Sequence, residues 1–465
     1  MTNPTSPAPS SSSPSRRPGP PQRLSGPARA LALQIAAETR AEWGYATDVI
    51  ARTFRAHREL GSNERRRVSE TVYGLIRADR RLDAIVDELL GPALRAGETP
   101  SQIVRDELKL IVFELREGVP VEAVRAEARR LVRTELDLEA AAAPEAGLGT
   151  RSGLERDAVR ASMPTWLVQM VTTERGHDAG LTLLESMNLR APLAIRVNTA
   201  LTTPEALTKE LAEEGVLAHP GHLSPTTLVL ETRVNAFGLS AFRRGLFEVM
   251  DEGSQVVAEL VAPPPGGRVL DACAGAGGKT LALAAAMSGK GRVLAIDVDG
   301  KKLEELRRRA RRAGLNNVTA RPITRDGAVL PPEARPGAWD RVLVDAPCSG
   351  LGVLRRNPEA RWRLTPADVA GFPPRQTALL VTYAPLVAVG GRLIYATCSI
   401  LAEENERVIE RFLAERDDFV RVPVKEIWGK ARVEALGQAD DGFLRLDPSR
   451  HDADGFFAAI LRRVR

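Results

Sequence analysis

The segment RVLDACAGAGGKTLALAAAM, residues 268–287, decides the fold of the carboxyl-terminal half of this chain. It runs from a short apolar strand, which ends at Asp271, through a glycine-rich turn and into an apolar helix. Glycines let the backbone approach a ligand closely, and the first turn of a helix offers unpaired N–H groups. The segment therefore predicts a strand, loop and helix that bind a ligand at the carboxyl end of the strand.

Spacing excludes two nucleotide-binding motifs for this loop. A phosphate-binding loop that ends at Gly278, Lys279 and Thr280 requires a glycine where the chain has Cys273. A dinucleotide-binding loop that starts at Gly275 requires a glycine at the position of Thr280. Neither motif is present.

The remaining interpretation is the strand-end acid and glycine loop of S-adenosylmethionine-dependent methyltransferases. Asp271 would lie near the methionine part of the cofactor. Asp297 ends the next predicted strand, RVLAIDVD at 292–299, and follows Asp271 by 26 positions (297 minus 271). That offset is close to the one at which a carboxylate reaches ribose hydroxyls. A glycine turn that serves only helix–sheet packing is the alternative.

Short β-rich runs and helical patterns alternate from residue 249 to the end of the chain. Three of the runs are RVLVDAP at 341–347, GRLIYATCSI at 391–400 and FFAAILRRV at 456–464. This alternation predicts an α/β Rossmann-like domain over residues 249–465, with a parallel sheet wrapped by helices.

Four regions precede the α/β domain. Residues 1–24 are rich in proline and serine and predict a disordered tail, whereas 25–142 carry apolar residues at helical spacing and predict an all-α domain. Residues 143–160 are small and acidic, as is typical of a linker, and 161–248 alternate helical and strand patterns that predict a small α+β module. The chain is thus expected to be multidomain.

Bulk composition narrows the class of protein. A length of 465 residues exceeds the usual size of one core, and 65 basic against 60 acidic residues leave a net charge of +5, which is compatible with a polyanionic partner. Three scattered cysteines exclude a disulfide framework and a paired-cysteine zinc site. With no apolar run of bilayer length, we expect a cytoplasmic protein without metal or membrane partner.

Two of the cysteines follow predicted strands directly. Cys348 follows RVLVDAP and Cys398 lies within GRLIYATCSI, so in one parallel sheet both would emerge at the edge that carries the glycine loop. A thiol that adds to carbon 6 of a pyrimidine makes carbon 5 nucleophilic, and a carboxylate such as Asp345 can hydrogen-bond the base. Inert packing is the alternative for either cysteine considered alone.

Four motifs carry a resemblance to a known family. DAPCSGLGVLRRNPEARW at 345–362, YATCSILAEENE at 395–406, DACAGAGGKT at 271–280 and DGFFAAIL at 454–461 resemble the RNA cytosine-C5 methyltransferases of the Sun/NOL1/NOP2 group. The likeness is greatest to the bacterial branch that modifies 16S ribosomal RNA and carries an amino-terminal NusB-like domain. ETVYGLIRADRRLD at 70–83 matches that helical domain.

The resemblance implies roles for individual residues. It makes Cys398 the nucleophile and Cys348 the residue that assists release of the methylated product, with Asp345 near the reacting centre. It assigns S-adenosyl-L-methionine to Asp271, Cys273, Ala274, Gly275, Ala276, Gly277, Gly278, Lys279, Asp297, Asp326 and Asp345. The chain departs from the family where Ala276 replaces the usual proline and Gly275 the commoner alanine.

Basic residues near Cys348 suggest where RNA is held. LRRNPEARWR at 354–363 combines arginines with Trp362, a mixture suited to phosphate contact and base stacking. Arg196 and Asn198 lie in the module that grips RNA in the resembling enzymes. The target base must leave its stack, so we expect a loop of 16S ribosomal RNA or a small-subunit assembly intermediate as substrate, bound by a monomer.

Three alternatives to this function remain. A transfer RNA cytosine-C5 methyltransferase fits the same motifs, and only the helical domain favours ribosomal RNA. A noncatalytic RNA-binding assembly or antitermination factor would not need cysteines at both strand ends. DNA methylation is disfavoured because the resembling enzymes attack with the cysteine of the TCS motif, at Cys398, and not with the proline-cysteine motif at Cys348.

Overall fold

The computed structural model describes residues 23–149, 151–232, 234–324 and 329–465. The chain forms two compact units, a first unit of residues up to Ala41 with Thr47–Arg151 and a second unit of Glu42–Ala46 with Ser152–Arg465. No helix in the described ranges combines the length and the apolar character that crossing a membrane requires.

The described part of the first unit is helical, which confirms the prediction from periodicity. Gly74 of the third helix must be a glycine, because a Cβ there would lie 2.3 Å from the ring of Phe113 on the fifth. Apolar stripes of the fourth and fifth helices supply half of the buried residues of one core. The helices are α1 (Gly26–Glu42), α2 (Ala46–Ala56), α3 (Ser62–Arg77), α4 (Asp79–Arg95), α5 (Gln102–Arg116), α6 (Val121–Leu131) and α7 (Leu138–Ala142).

The structure differs from the sequence prediction at the end of the tail. Residues 1–22 lie outside the described residues, but the last two residues of the predicted tail are packed. Arg23 Nε donates to Glu114 Oε2 at 2.9 Å, and Leu24 is buried. Local composition cannot reveal a hydrogen-bond partner that lies 91 positions away in the chain.

The predicted linker over residues 143–160 is also packed rather than solvent-exposed. Its second half lies almost entirely in helix α8 (Gly153–Ala161), which buries Ala158 and Val159. In its first half, Gly147 donates its N–H to Glu88 Oε2 of α4 at 2.8 Å. Small residues predicted a linker here because they carry little apolar surface, yet they let the chain lie close to neighbouring helices.

The small α+β module contains a four-stranded antiparallel sheet in the order β2-β3-β1-β4. Thr203 caps its third helix by accepting the N–H of Ala206 at 3.3 Å. The strands are β1 (Leu193–Val197), β2 (Ala218–Pro220), β3 (Thr227–Leu230) and β4 (Phe247–Val249). The helices are α9 (Thr165–Arg175), α10 (His177–Ser186), α11 (Pro204–Glu213) and α12 (Ser240–Arg243).

The α/β domain is built on an eight-stranded sheet with the order β10-β12-β9-β8-β5-β6-β7, and β11 pairs with β12. Its strands are β5 (Arg268–Asp271), β6 (Arg292–Asp297), β7 (Val318–Pro322), β8 (Trp339–Asp345), β9 (Val387–Thr397), β10 (Phe419–Val422), β11 (Leu444–Leu446) and β12 (Phe456–Arg463). This is the Rossmann-like domain that the alternation predicted.

The prediction of a wholly parallel sheet was wrong at its carboxyl-terminal end. Strands β5 to β9 are parallel, but β12 runs antiparallel to β9, and β10 and β11 run antiparallel to β12. Strand β12 buries its first six residues in succession. A strand buried on both faces has the same sequence pattern in either direction, so its orientation depends on tertiary contacts.

Helices cover both faces of this sheet, with one core around α13 and α14 and another around α18 and α19. The helices of the domain are α13 (Glu252–Val261), α14 (Gly278–Ala286), α15 (Gly300–Arg312), α16 (Ala360–Arg363), α17 (Pro366–Ala370), α18 (Phe372–Tyr383), α19 (Glu406–Glu415), α20 (Lys425–Trp428), α21 (Lys430–Ala435) and α22 (Pro448–His451). Because β5, β6, β8 and β9 are parallel, their last residues share one edge: Asp271, Asp297, Asp345 and Thr397.

Candidate active site

The glycine loop between β5 and α14 begins at the buried Asp271. Thr280 Oγ1 donates to Asp271 Oδ2 at 2.6 Å, whereas Asp271 Oδ1 has no hydrogen-bond partner among the described residues. Burial raises the pKa of Asp271 to about 7; the Thr280 hydrogen bond opposes this change, and the Asp345 carboxylate adds to it. The loop thus starts at a carboxyl group with one unused oxygen.

Asp297 at the end of β6 fixes the middle of the loop. Its Oδ2 accepts the N–H of Gly275 at 2.8 Å, and its Oδ1 accepts the N–H of Asp299 at 2.8 Å. Gly277 has a φ of +87°, and a Cβ there would lie 2.5 Å from Leu306 Cγ on α15. The turn into α14 therefore requires glycine at this position both for conformation and for space.

The other loop residues are held mainly through the backbone. Ala274 donates its N–H to the carbonyl of Ile296 at 3.1 Å, and the carbonyl of Ala276 accepts Arg309 Nη1 at 2.7 Å. Desolvation raises the pKa of Cys273 well above its usual range, and nearby carboxylates add to the effect. Cys273 is consequently a neutral thiol.

Gly278 and Lys279 open helix α14 beside the end of β8. Lys279 Nζ donates to Asp345 Oδ2 at 2.8 Å and lies 5.1 Å from the ring centroid of Phe456. Burial lowers the pKa of Lys279, but the charge and hydrogen bond of Asp345, with a contribution from Cys398, outweigh it and leave the pKa raised. A buried ammonium group, paired with a half-buried carboxylate, therefore lies within electrostatic reach of Cys398.

The two cysteines that follow β8 and β9 are in contact. Cys348 Sγ and Cys398 Sγ are 3.4 Å apart, and both side chains are half-buried. The contact with Cys398 raises the pKa of the Cys348 thiol well above its usual range, and burial and the negative charge of Glu404 add to the increase. The sequence prediction that both thiols reach one edge of the sheet is met in the structure.

Glu404 lies directly behind this pair. Its carboxylate is fully buried and accepts hydrogen bonds from Ser349, Ser399 and Gln376. Ser349 and Ser399 are the residues that follow Cys348 and Cys398 in the chain. The backbones that carry the two thiols are thus joined through one side chain.

The structure places ten of the eleven predicted cofactor residues together at this edge, while Asp326 lies outside the described residues. Three contributors were missed by sequence reasoning: Thr280, Arg309 and Glu404. Thr280 belongs to the quoted glycine motif, so its place nine positions after Asp271 was an available signal. Arg309 stands among many basic residues and Glu404 among several acids, so neither could be singled out.

The predicted RNA contacts of the segment after Cys348 are largely wrong. Arg355 is 3% exposed and donates to the carbonyl of Arg190 and to Asp452, and Arg361 is 0% exposed and donates to Ser162 and Asn188. Buried guanidinium groups cannot contact the phosphates of a bound RNA. Sequence reasoning failed because these partners are 97 to 199 positions away.

Three further polar residues proposed as RNA ligands hold protein elements together instead. Arg356 pairs with Asp251 and Asp454. Arg196 is 3% exposed, and burial lowers its pKa to about 10. Asn198 is fully buried, and its Nδ2 donates to two backbone carbonyls. Their roles in this chain are structural.

Comparison with known protein families gives two matches. A family model described as "16S rRNA methyltransferase RsmB/F" matches residues 258–462. A second model, "Methyltr_RsmF/B-like, ferredoxin-like domain", matches residues 163–236, within the small α+β module. Together they cover most of the module and most of the Rossmann-like domain that contains the paired thiols.

Individual relatives extend this similarity over almost the whole chain. The chain is 32% identical to a probable ribosomal RNA small subunit methyltransferase B of Synechocystis, over 94% of this chain and 99% of that protein. It is 28% identical to the protein of the same name from Bacillus subtilis, over 94% and 98% of the two chains. A solved methyltransferase homolog protein from Pyrococcus horikoshii is 26% identical, with a TM-score of 0.55, and covers 67% of this chain and 98% of its own.

Proposed function

Because the chain belongs to the RsmB/F family of 16S rRNA methyltransferases, we propose that it methylates carbon 5 of a cytosine in 16S ribosomal RNA. Family membership makes it an S-adenosylmethionine-dependent RNA methyltransferase. The base, the carbon atom and the ribosomal target are the proposed parts. The contact of Cys348 and Cys398 beside the glycine loop carries the base and the carbon atom, since covalent catalysis at a pyrimidine uses a thiol. The descriptions of the matching family and relatives support the ribosomal target.

The residues of the loop fit S-adenosylmethionine. The unpartnered Oδ1 of Asp271 can accept a hydrogen bond from the cofactor's ammonium group, and a Cβ at Gly275 or Gly278 would meet no atom within 4 Å, so the space beside the loop is open. Asp297, which already orders the loop, is the acid suited to the ribose hydroxyls. When bound, the cofactor supplies an electrophilic methyl group on its sulfonium.

In the proposed reaction, Cys398 is the nucleophile. Its thiolate sulfur forms a bond to carbon 6 of the cytosine, and the electron pair of the 5,6 double bond moves to make carbon 5 nucleophilic. The Lys279 ammonium lies within electrostatic reach of this sulfur. Asp345, held by Lys279, faces the reacting centre and can hydrogen-bond the base edge.

Cys348 completes the proposed cycle. After methylation, the proton on carbon 5 must be removed, and the bond between carbon 6 and Cys398 Sγ must break to restore the double bond. We propose that Cys348, whose sulfur lies 3.4 Å from Cys398 Sγ, assists this elimination.

Cysteine substitutions test this division of roles. Cys398→Ala should abolish methylation without a covalent adduct, because carbon 5 never becomes nucleophilic. Cys348→Ala should attack and methylate but not release, so protein cross-linked to RNA should persist in denaturing electrophoresis. The double variant must lose the shifted band. An adduct from Cys398→Ala and none from Cys348→Ala would reverse the roles.

The target RNA requires its own experiment. We propose that the target cytosine lies in an unpaired region of 16S ribosomal RNA or in a small-subunit assembly intermediate, because it must leave its stack to reach the thiols. Bisulfite sequencing of ribosomal and transfer RNA from a deletion strain should show one 5-methylcytosine lost from 16S ribosomal RNA. Loss from a transfer RNA instead would refute the ribosomal assignment and leave the cysteine chemistry intact.

A further inference from the structure

We propose that Glu404 is a positioning residue that sets the separation of the two catalytic thiols. The inference rests on the proposed functions of Cys348 and Cys398 but concerns a residue that touches neither substrate nor cofactor. Glu404 acts through the residues that follow the two cysteines. Its carboxylate is placed to hold the loop after β8 and the loop after β9 at one fixed distance.

The hydrogen bonds of Glu404 divide between the two loops. On the first loop, Ser349 donates its N–H to Oε2 at 2.8 Å and its hydroxyl to Oε1 at 2.5 Å. On the second loop, the hydroxyl of Ser399 donates to Oε1 at 2.6 Å. Because Oε1 receives a hydroxyl from each loop, a single oxygen atom ties both loops together one residue away from each sulfur.

Further bonds hold Glu404 itself in place. Gln376 Nε2 bridges Oε2 and the carbonyl of Pro347, both at 3.1 Å, and so anchors the network to helix α18. The hydroxyl of Tyr395 in β9 donates to the Glu404 backbone carbonyl at 2.5 Å. The residue is therefore fixed from the helix and from the strand as well as from the two loops.

The side chain of Glu404 has the chemistry that this position requires. It is 0% exposed, and within the described part of the chain its carboxylate accepts hydrogen bonds from two hydroxyls, a backbone N–H and an amide, all neutral donors. Burying a carboxylate without a cation is costly unless its oxygens are satisfied, and hydrogen bonds to a charged acceptor are stronger than neutral ones. Such a group holds its donors firmly.

Glu404→Gln keeps the shape of the side chain but removes its charge and one of its two acceptor oxygens. Its carbonyl oxygen can still accept the N–H of Ser349 and the amide of Gln376, but its NH2 group would face the two serine hydroxyls and leave their protons without the shared acceptor. The direct bond from the N–H of Gly352 to the carbonyl of Cys398, at 2.9 Å, remains. Glu404→Gln should consequently fold while its thiols lie farther apart.

Kinetics of Glu404→Gln test the proposal. Small misplacements of reacting groups slow a reaction strongly, so kcat should fall by about 100-fold. The KM for RNA and the affinity for S-adenosylmethionine should stay within about twofold of the wild-type values. The matched control is Glu403→Gln, since Glu403 is adjacent, half exposed and forms ion pairs with the surface residues Arg407 and Arg411. Unchanged kcat in Glu404→Gln, or an equal loss of cofactor affinity, would overturn the proposal.

A thiol-bridging reagent measures the geometry without the reaction. Phenylarsine oxide condenses with two neighbouring thiols, forming two As–S bonds and releasing water, so its affinity reports whether Cys348 and Cys398 remain in contact. Glu404→Gln should bind it about tenfold more weakly than the wild type, because the bridging depends on the proximity of both thiols. Equal affinity would contradict the proposal even if activity fell.

Single serine variants add a step-specific readout. Ser399→Ala releases only the Cys398 loop from the shared oxygen and should slow formation of the covalent adduct. Ser349→Ala weakens the hold on the Cys348 loop and should slow adduct decay. If both variants slowed adduct formation and adduct decay to the same extent, the two serines would not each position their own cysteine.

If the wild type forms no 5-methylcytosine, the proposed function fails. The comparison of phenylarsine oxide binding still decides the role of Glu404 in that case.

Discussion

At the scale of single residues, Asp271 shows how burial prepares a group for its ligand. The carboxyl group is 1% exposed, and its pKa is raised from the ordinary 3.8 to about 7, chiefly by burial. Between its ordinary pKa of 3.8 and about pH 7, the folded apoprotein therefore holds a proton at Asp271 that the unfolded chain has already released. The protonated carboxyl contributes stability that is fully present below the ordinary pKa and is lost as the pH rises from there to about 7.

We predict that cofactor affinity depends on pH through Asp271. Only the ionised carboxylate attracts the ammonium group of S-adenosylmethionine, so binding must displace the proton at low pH. Affinity should increase by about tenfold between about pH 6 and about pH 7.5, and binding at the lower pH should release a proton. Calorimetry in buffers of different ionisation enthalpy measures both quantities.

Asp271→Asn is the control for this pH dependence, because it keeps the shape of the side chain but cannot ionise. Its affinity should be weak and nearly independent of pH over the same range. The assignment of Asp271 to the cofactor would be refuted if the wild type and Asp271→Asn showed the same pH dependence.

At the scale of secondary-structure elements, a buried ionic cluster connects the small sheet to the cofactor loop. Glu248 of β4 is 3% exposed, pairs with Arg312 and lies 3.0 Å from Arg309 Nη2, both on α15. Arg196 of β1 is its cross-strand partner. Because Arg309 also donates to the carbonyl of Ala276, the cluster extends to the glycine loop.

We expect Glu248→Gln to lower stability and cofactor affinity together. Removing one partner of a buried ionic cluster leaves uncompensated guanidinium charge and typically costs about 3 to 5 kcal/mol. Arg309 would then hold Ala276 less firmly, which should weaken S-adenosylmethionine binding. Denaturant unfolding and calorimetry check the two effects. Glu304→Gln is a matched control on the same helix, since Glu304 is exposed and pairs with Arg307. If Glu248→Gln lost stability but kept its cofactor affinity, the cluster would join the small α+β module to the α/β domain without supporting the cofactor loop.

At the scale of the whole molecule, the chain forms two compact units. One core of the first unit draws on residues between Leu33 and Ala146, and the cores that surround the candidate site draw on residues after Gly153. No described residue of the first unit belongs to the glycine loop or to the thiol pair. Binding of cofactor and capture of RNA should therefore be separable.

Deletion of residues 1–151 tests this separation. The remaining chain should bind S-adenosylmethionine with unchanged affinity, because the loop from Asp271 to Lys279 and its supports all remain. We propose that the helical unit contributes phosphate contacts, so the KM for RNA should rise by on the order of tenfold and depend less steeply on salt. Equal efficiency of both proteins across salt concentrations would exclude a role of the first unit in RNA capture.

The sequence by itself determined the features that follow from local pattern and strand direction. Helical periodicity predicted the helices of the first unit, and the run from Arg268 to Met287 predicted a strand, loop and helix. The apolar runs before Cys348 and Cys398 predicted that both thiols emerge at one edge of the sheet, because the carboxyl ends of parallel strands share one edge. Each of these inferences needs only residues that are close in the chain.

Tertiary structure alone decided the features that depend on distant partners. The antiparallel insertion of β12, the burial of Arg361 by groups 173 to 199 positions away and the bond of Glu404 to Ser349 across 55 positions have no local signature. The sequence alone does not distinguish an arginine that binds phosphate from one that donates hydrogen bonds to buried carbonyls. Which of the two it becomes depends on whether folding removes it from water, since only then must protein groups replace its solvent hydrogen bonds.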